Sequence, residues 1–204
     1  MLRHILSFLL LALFTTGCSL IQKEQSSDPL FTQATDERTK QLLALKDWQI
    51  KGKIAFINAK ERNSADLNWR FKGSENSQKL NLTSYLGINV LQLETIEGAH
   101  ALEVDGKTYH AENLDSLIAS LTGLTLPTEA LSYWVKGIAY SDKDHITYQS
   151  NSKLPQTLDS IYNHQHWHIE FQRYKNINGV QLPTSLKISQ ANLTIRISIN
   201  YWHL

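Results

Sequence analysis

From Trp48 to Phe56 the chain places Trp48, Ile50, Gly52, Ile54 and Phe56 at every second position, with Gln49, Lys51, Lys53 and Ala55 between them. That is the period of a strand with one buried face. The pattern restarts at Ala65, Leu67, Trp69 and Phe71, then at Leu80 and Leu82, and again in residues 90–95, 99–104 and 107–111. Polar stretches at residues 58–64 and 73–77 and the Asp105-Gly106 pair separate the runs. These connections are too short for crossovers, so successive strands are expected to pair antiparallel.

Helical spacing interrupts the strands at three places. Asp36 can cap a short helix running to Lys46, with Leu42, Leu43 and Leu45 as its apolar side. Asn113 can cap a second, carrying Leu114, Leu117, Ile118 and Leu121 and stopped by Gly123. Pro127 suits the first turn of a third, with Leu131, Trp134 and Val135 on one side and Gly137 at its end. Strand signals then resume around Ile146, Leu158 and Trp167 and finish in residues 192–202, where Leu193, Ile195, Ile197 and Ile199 alternate with polar residues. About ten or eleven strands are expected, too many for a flat sheet to stay uncurled. The fold class is therefore α+β, a strongly curved, barrel-like antiparallel sheet with helices over one face or opening. Periodicity leaves open which strand face points inward.

The start of the chain has a different character. Arg3 and His4 precede an apolar run from Ile5 to Phe14, and Thr15-Thr16-Gly17-Cys18 follows, containing the single cysteine. The run is shorter than the roughly 20 residues that span a bilayer as a helix. Its order of basic, apolar and small residues before a cysteine is similar to a bacterial lipobox, which implies a signal peptide over residues 1–17 and acylation of Cys18. Residues 18–34 are polar and read as an acylated tether, which leaves residues 35–204 as one domain. Ser19 after Cys18, rather than Asp, implies by lipoprotein sorting rules no retention in the inner membrane. Acidic and basic residues nearly cancel, giving a net charge of +1, and neither clusters. Nucleic acid is not an expected partner.

Two stretches invite a functional reading. In Ser84-Tyr85-Leu86-Gly87-Ile88-Asn89, bulky apolar residues sit at a turn. Either Leu86 folds back onto the core, or Tyr85, Leu86, Gly87 and Ile88 form a finger that touches a membrane or partner. His164, His166 and His168 would share one face of a strand, but no carboxylate or cysteine is fixed beside them by spacing, so no metal or cofactor is expected. Asp142, Asp144 and His145 read as a loop. Glycine-rich phosphate loops, nucleophile elbows and zinc-protease motifs do not occur, and no enzyme is expected.

Several segments, taken in order, resemble the LolB family of outer-membrane lipoproteins. They are Trp48-Gln49-Ile50-Lys51-Gly52-Lys53-Ile54, Ala65-Asp66-Leu67-Asn68-Trp69, Leu86-Gly87, Leu121-Thr122-Gly123, Leu126-Pro127, Leu131 with Trp134-Val135 and Gly137, Trp167 with Tyr174, and Leu182-Pro183. Where the family often has Pro-Leu-Gly, this chain has Tyr85-Leu86-Gly87. The resemblance implies an incomplete antiparallel β-barrel with a helical lid over an apolar cavity. It also implies a monomeric receptor on the periplasmic side of the outer membrane. Such a receptor takes acylated lipoprotein cargo from a LolA-like periplasmic carrier and inserts it. Leu86 would contact the membrane, and the cavity candidates are Trp48, Ile50, Ile54, Leu67, Trp69, Leu117, Leu121 and Trp134. The competing expectations are a lipid-anchored structural or adaptor protein without a transfer cavity, and a hydrolase with a dispersed site.

Overall fold

The computed structural model describes residues 35–123 and 126–204. The signal peptide, Cys18 and the tether lie outside the described residues. The elements are α1 (Thr35–Ala44), β1 (Asp47–Ile57), β2 (Arg62–Lys72), β3 (Ser77–Thr83), β4 (Asn89–Ile96), β5 (Ala99–Val104), β6 (Lys107–Ala111), α2 (Leu114–Thr122) and α3 (Thr128–Trp134). There follow β7 (His145–Tyr148), β8 (Pro155–Tyr162), β9 (Gln165–Ile177), β10 (Val180–Gln190) and β11 (Leu193–His203).

All these strands belong to one 11-stranded sheet of order β6-β5-β4-β3-β2-β1-β11-β10-β9-β8-β7. Neighbouring strands run antiparallel, and β1 at the head of the first meander pairs with β11 at the tail of the second. The edges β6 and β7 are not paired to each other among the described residues, so the barrel is open. Gly52 permits the seam between β1 and β11. A Cβ there would lie 2.0 Å from the carbonyl oxygen of Ser198, and the register shifts between Lys51 and Gly52. A bulge at such a point bends the strand and increases its twist.

The face carrying Trp48, Ile50, Ile54, Leu67 and Trp69 points inward. Those residues form one apolar cluster with Leu42 of α1 and with Trp134 and Val135 at the end of α3. A smaller cluster joins Leu93 and Leu102 to Leu114, Leu117 and Ile118 of α2. The helices thus cover the inner face of the sheet.

Local chemistry sets where the helices begin and stop. The Asn113 side chain accepts from Ser116 N–H at 2.8 Å, and Gly123, with φ +69°, donates to Ala119 O and ends α2. Asp115 in the first turn of α2 accepts from the Thr128 N–H and hydroxyl, tying α3 to α2. Helix α1 begins at Thr35 and stops at Ala44, short of the expected Lys46. The Lys46 carbonyl is instead taken by the Gly73 N–H at 3.0 Å, beside the first pairs of β1 with β2.

Candidate functional site

The turn between β3 and β4 carries its apolar side chains away from the core. Ser84 N–H donates to Ile88 O at 2.8 Å and Gly87 N–H donates to Ser84 O at 2.9 Å, closing a tight loop. The side chains leave it outward: Tyr85 is 87% exposed, Leu86 66% and Ile88 63%. Leu86 does not fold back onto the core. Gly87 has φ +79° and open space around its Cβ position, so it is there for backbone conformation and not for close approach.

The interior holds the other candidates. Trp48, Ile50, Ile54, Leu67, Trp69 and Trp134 are buried in one cluster. Trp48 meets Trp69 edge-on at 4.8 Å and stacks on Phe71 at 5.3 Å, while Trp134 lies 6.0 Å from Trp167. Leu117 is buried in the smaller cluster and Leu121 is half-buried against it. The residues expected to line a cavity are packed against one another here, ring on ring beneath α3.

An open pocket of about 950 Å³ adjoins this lining, where α2, α3 and the β8–β9 turn meet the ends of β2, β3 and β5. Phe71 and Tyr133 give it apolar surface, and a seam of hydroxyls and carboxylates crosses it. Tyr162 Oη donates to Asp115 Oδ2 at 2.9 Å and Asn163 Nδ2 donates to the same oxygen at 3.0 Å. Tyr140 Oη donates to Glu129 Oε2 at 2.7 Å. That bond, with burial, pushes the Tyr140 hydroxyl up to about 12, and burial together with the Asp115 bond raises Tyr162 as well. These groups stay protonated as donors. Nothing in the sequence marked them, because the partners come from separate helices, a loop and a distant hairpin.

Behind α1 lies a pair of buried cations. Arg38 donates from Nε to Gln181 O at 2.9 Å and from its two terminal nitrogens to Gly137 O at 2.9 Å and Lys136 O at 2.7 Å. Lys136 Nζ returns a bond to Leu42 O in α1 at 3.2 Å. Burial lowers the Arg38 pKa and brings Lys136 down to about 8. Arg38 and Leu42 are spaced i, i+4 and so share the buried side of α1, which is the signal that could have pointed to Arg38.

In the histidine and aspartate stretches, His168 and Asp144 are each bonded to neighbouring elements. His164 sits in the β8–β9 turn with φ +61°, while His166 and His168 are on β9. His168 Nδ1 is 2.6 Å from Asp159 Oδ1 on the neighbouring strand. Among the described residues no group of three or more His, Cys, Asp or Glu could hold a metal ion. Asp144 organises its loop, accepting from Tyr140 N–H at 2.8 Å, Ser160 Oγ at 2.6 Å and Trp134 Nε1 at 3.4 Å.

This arrangement has counterparts among known proteins. Among solved structures, a LolA superfamily protein from Nitrosomonas europaea superposes with a TM-score of 0.51 at 9% identity, covering 81% of this chain and 93% of its own. A putative outer membrane lipoprotein-sorting protein domain from Vibrio parahaemolyticus gives 0.50 at 8% identity, covering 82% and 90%. At such identities the likeness is one of fold. Sequence likeness is closer: the outer-membrane lipoprotein LolB of Shewanella sediminis is 34% identical over 155 residues, covering 76% of this chain and 69% of that protein. That of Shewanella frigidimarina is 30% identical over 190 residues, covering 93% and 88%. The family profile described as "Outer membrane lipoprotein LolB" matches residues 46–202, which take in the inward tryptophans, the exposed finger and both lid helices, and the chain belongs to the LolB family.

Proposed function

We propose that this protein is an outer-membrane receptor that accepts acylated lipoproteins from a periplasmic carrier and releases them into the outer membrane. The observation that carries this reading is the Tyr85-Leu86-Gly87-Ile88 finger, apolar and exposed, on a sheet whose inward face is also apolar. In the proposed full chain, Cys18 carries the acyl anchor, residues 18–34 are the tether, and residues 35–204 are a monomeric receptor domain facing the periplasm.

The physical need is large. Each methylene taken from water is worth about 0.8 kcal/mol, so an acylated cysteine cannot cross an aqueous gap without a substitute for the membrane. The inward face offers that substitute, lined by Trp48, Ile50, Ile54, Leu67, Trp69 and Trp134, with Leu117 and Leu121 on the lid. Apolar contact has no direction, so one lining serves acyl chains of many cargoes. Access requires α2 and α3 to part from the sheet. The bonds of the polar seam are replaceable by water at a net cost of about 1 kcal/mol each, and incoming acyl chains take over the apolar surface that the parting helices uncover. Transfer then follows a gradient of affinity, with the finger bringing the opening to the bilayer. Burying a Leu side chain there contributes about 1.5–3 kcal/mol.

The experiment is transfer of a fluorescent acylated lipoprotein from a preloaded receptor to vesicles. Leu86→Glu should load from the carrier and fail to deliver; undiminished delivery would remove the finger from the mechanism. The packed interior favours a second reading, a lipid-anchored adaptor, and uptake of an apolar fluorescent probe separates the two. A receptor takes up the probe as its helices part, whereas an adaptor with a permanently filled core does not.

A further inference from the structure

The five tryptophans differ in one respect that packing does not explain. Trp69 Nε1 donates to Gln78 Oε1 at 3.0 Å, Trp202 Nε1 to Pro183 O at 2.9 Å, and Trp134 Nε1 to Asp144 Oδ2 at 3.4 Å. The indole nitrogens of Trp48 and Trp167 are buried and have no acceptor among the described residues. Both rings are almost completely enclosed, at 3% and 1% exposure. A buried N–H without an acceptor is costly, and an all-carbon side chain would bring no donor to satisfy. Bare aliphatic chains give these donors nothing to bond.

Their position suggests what does. Trp48 stacks directly behind Phe71, and Phe71 lines the open pocket. Trp167 packs against Trp134 of α3, the helix whose Ser132 and Tyr133 form another wall of the same pocket. Trp167 therefore lies one ring behind α3, which moves when the lid parts, and Trp48 one ring behind Phe71 of β2, on the sheet side of the space that the parting helices open. An acylated N-terminal cysteine is not purely hydrocarbon. Ester carbonyls join its chains to glycerol and an amide carbonyl joins the third to nitrogen, and these are strong acceptors in an otherwise apolar group.

We propose that the Trp48 and Trp167 indole N–H groups are recognition donors for the carbonyls at the root of the cargo's acyl chains. This rests on the receptor reading above and adds to it a chemical preference. The lining accepts any chain, and the two tryptophans set acyl groups apart from plain hydrocarbon or ether lipid. A hydrogen bond made in a water-excluded site gains from the low local dielectric, so the preference should be measurable.

The test uses the mature chain, residues 18–204, carrying Cys18→Ala, which has neither the apolar run of residues 5–14 nor an acyl group to compete for the lining. Two synthetic cysteine lipopeptides of equal chain length are compared, one with ester-linked and one with ether-linked glycerol chains. The ester form should bind about tenfold more tightly, a difference of about 1.4 kcal/mol. Trp48→Phe and Trp167→Phe should each narrow that ratio toward one, whatever the smaller ring does to the affinity for both probes alike. Equal binding of both probes by the Cys18→Ala chain would overturn the proposal and leave the receptor reading intact, and needs no tryptophan variant to be decided. A preference that persists in full in both tryptophan variants would also overturn it, since other donors would then be reading the carbonyls. Binding of neither probe would remove the receptor reading and this proposal together.

Discussion

The finger at Tyr85–Ile88 and the contact between α1 and the end of α3 break the usual burial rule in opposite directions. One puts large apolar side chains in water; the other puts two cations in the core. The difference lies in how each is compensated. Among the described residues Arg38 and Lys136 have no carboxylate opposite them, yet four backbone carbonyls accept their bonds, so the charges are explained by the fold that surrounds them. Tyr85, Leu86 and Ile88 have no such compensation among the described residues. An internally satisfied exception belongs to structure, whereas an unsatisfied one points to something outside the chain.

Substitutions can break that contrast, and the largest effect is expected at Arg38. Arg38→Ala leaves the carbonyls of Lys136, Gly137 and Gln181 buried without this donor and should cost about 3–5 kcal/mol in urea unfolding. A loss below about 1 kcal/mol would mean that these carbonyls are readily reached by water. Lys136 sharpens the same side of the comparison through pH. Burial holds its folded pKa near 8, below the ordinary 10.5. Below pH 8 both the folded and unfolded chain carry the proton, and the charged group weighs fully against folding. Between these two values the folded chain releases its proton first, so stability rises with pH in that window. Relative to Lys136→Met, the protein should gain about 3 kcal/mol as pH rises through the window, and a difference that stays flat would place this amine in water.

The finger should behave the other way. Leu86→Glu is expected to change folding stability by no more than about 0.5 kcal/mol, as for an exposed position, while weakening vesicle association by roughly tenfold or more. A large fall in its melting temperature would show that Leu86 serves the fold after all. The smallest effect is expected at Gly87→Ala, where φ +79° imposes about 1 kcal/mol of backbone strain, read as a modest loss in thermal unfolding.

The elements were more legible than their assembly. Alternation at Trp48–Phe56 and at Leu193–Ile199 located β1 and β11, because each has one wet face and one dry face. Their pairing, which joins the two ends of the domain, leaves no periodic trace in either strand. Asn113 and Gly123 announced α2 through their own local bonds. The His-x-His spacing places His164 on a strand, yet it lies in the turn, since its positive φ is a property of the hairpin and not of that spacing. In the site, the finger was visible because apolar residues at a turn conflict with their setting. The Asp115–Tyr162 seam and the Arg38 contacts were not, because they join residues distant along the chain, and only tertiary structure brings them together.

The unpaired edges of the sheet carry a last consequence. In a closed barrel, enlarging the bore means rupturing a ladder of backbone bonds, a discrete step with a high threshold. Between β6 and β7 there is no such ladder to rupture among the described residues. The two margins can spread gradually, like a cupped hand, while every strand keeps its neighbours.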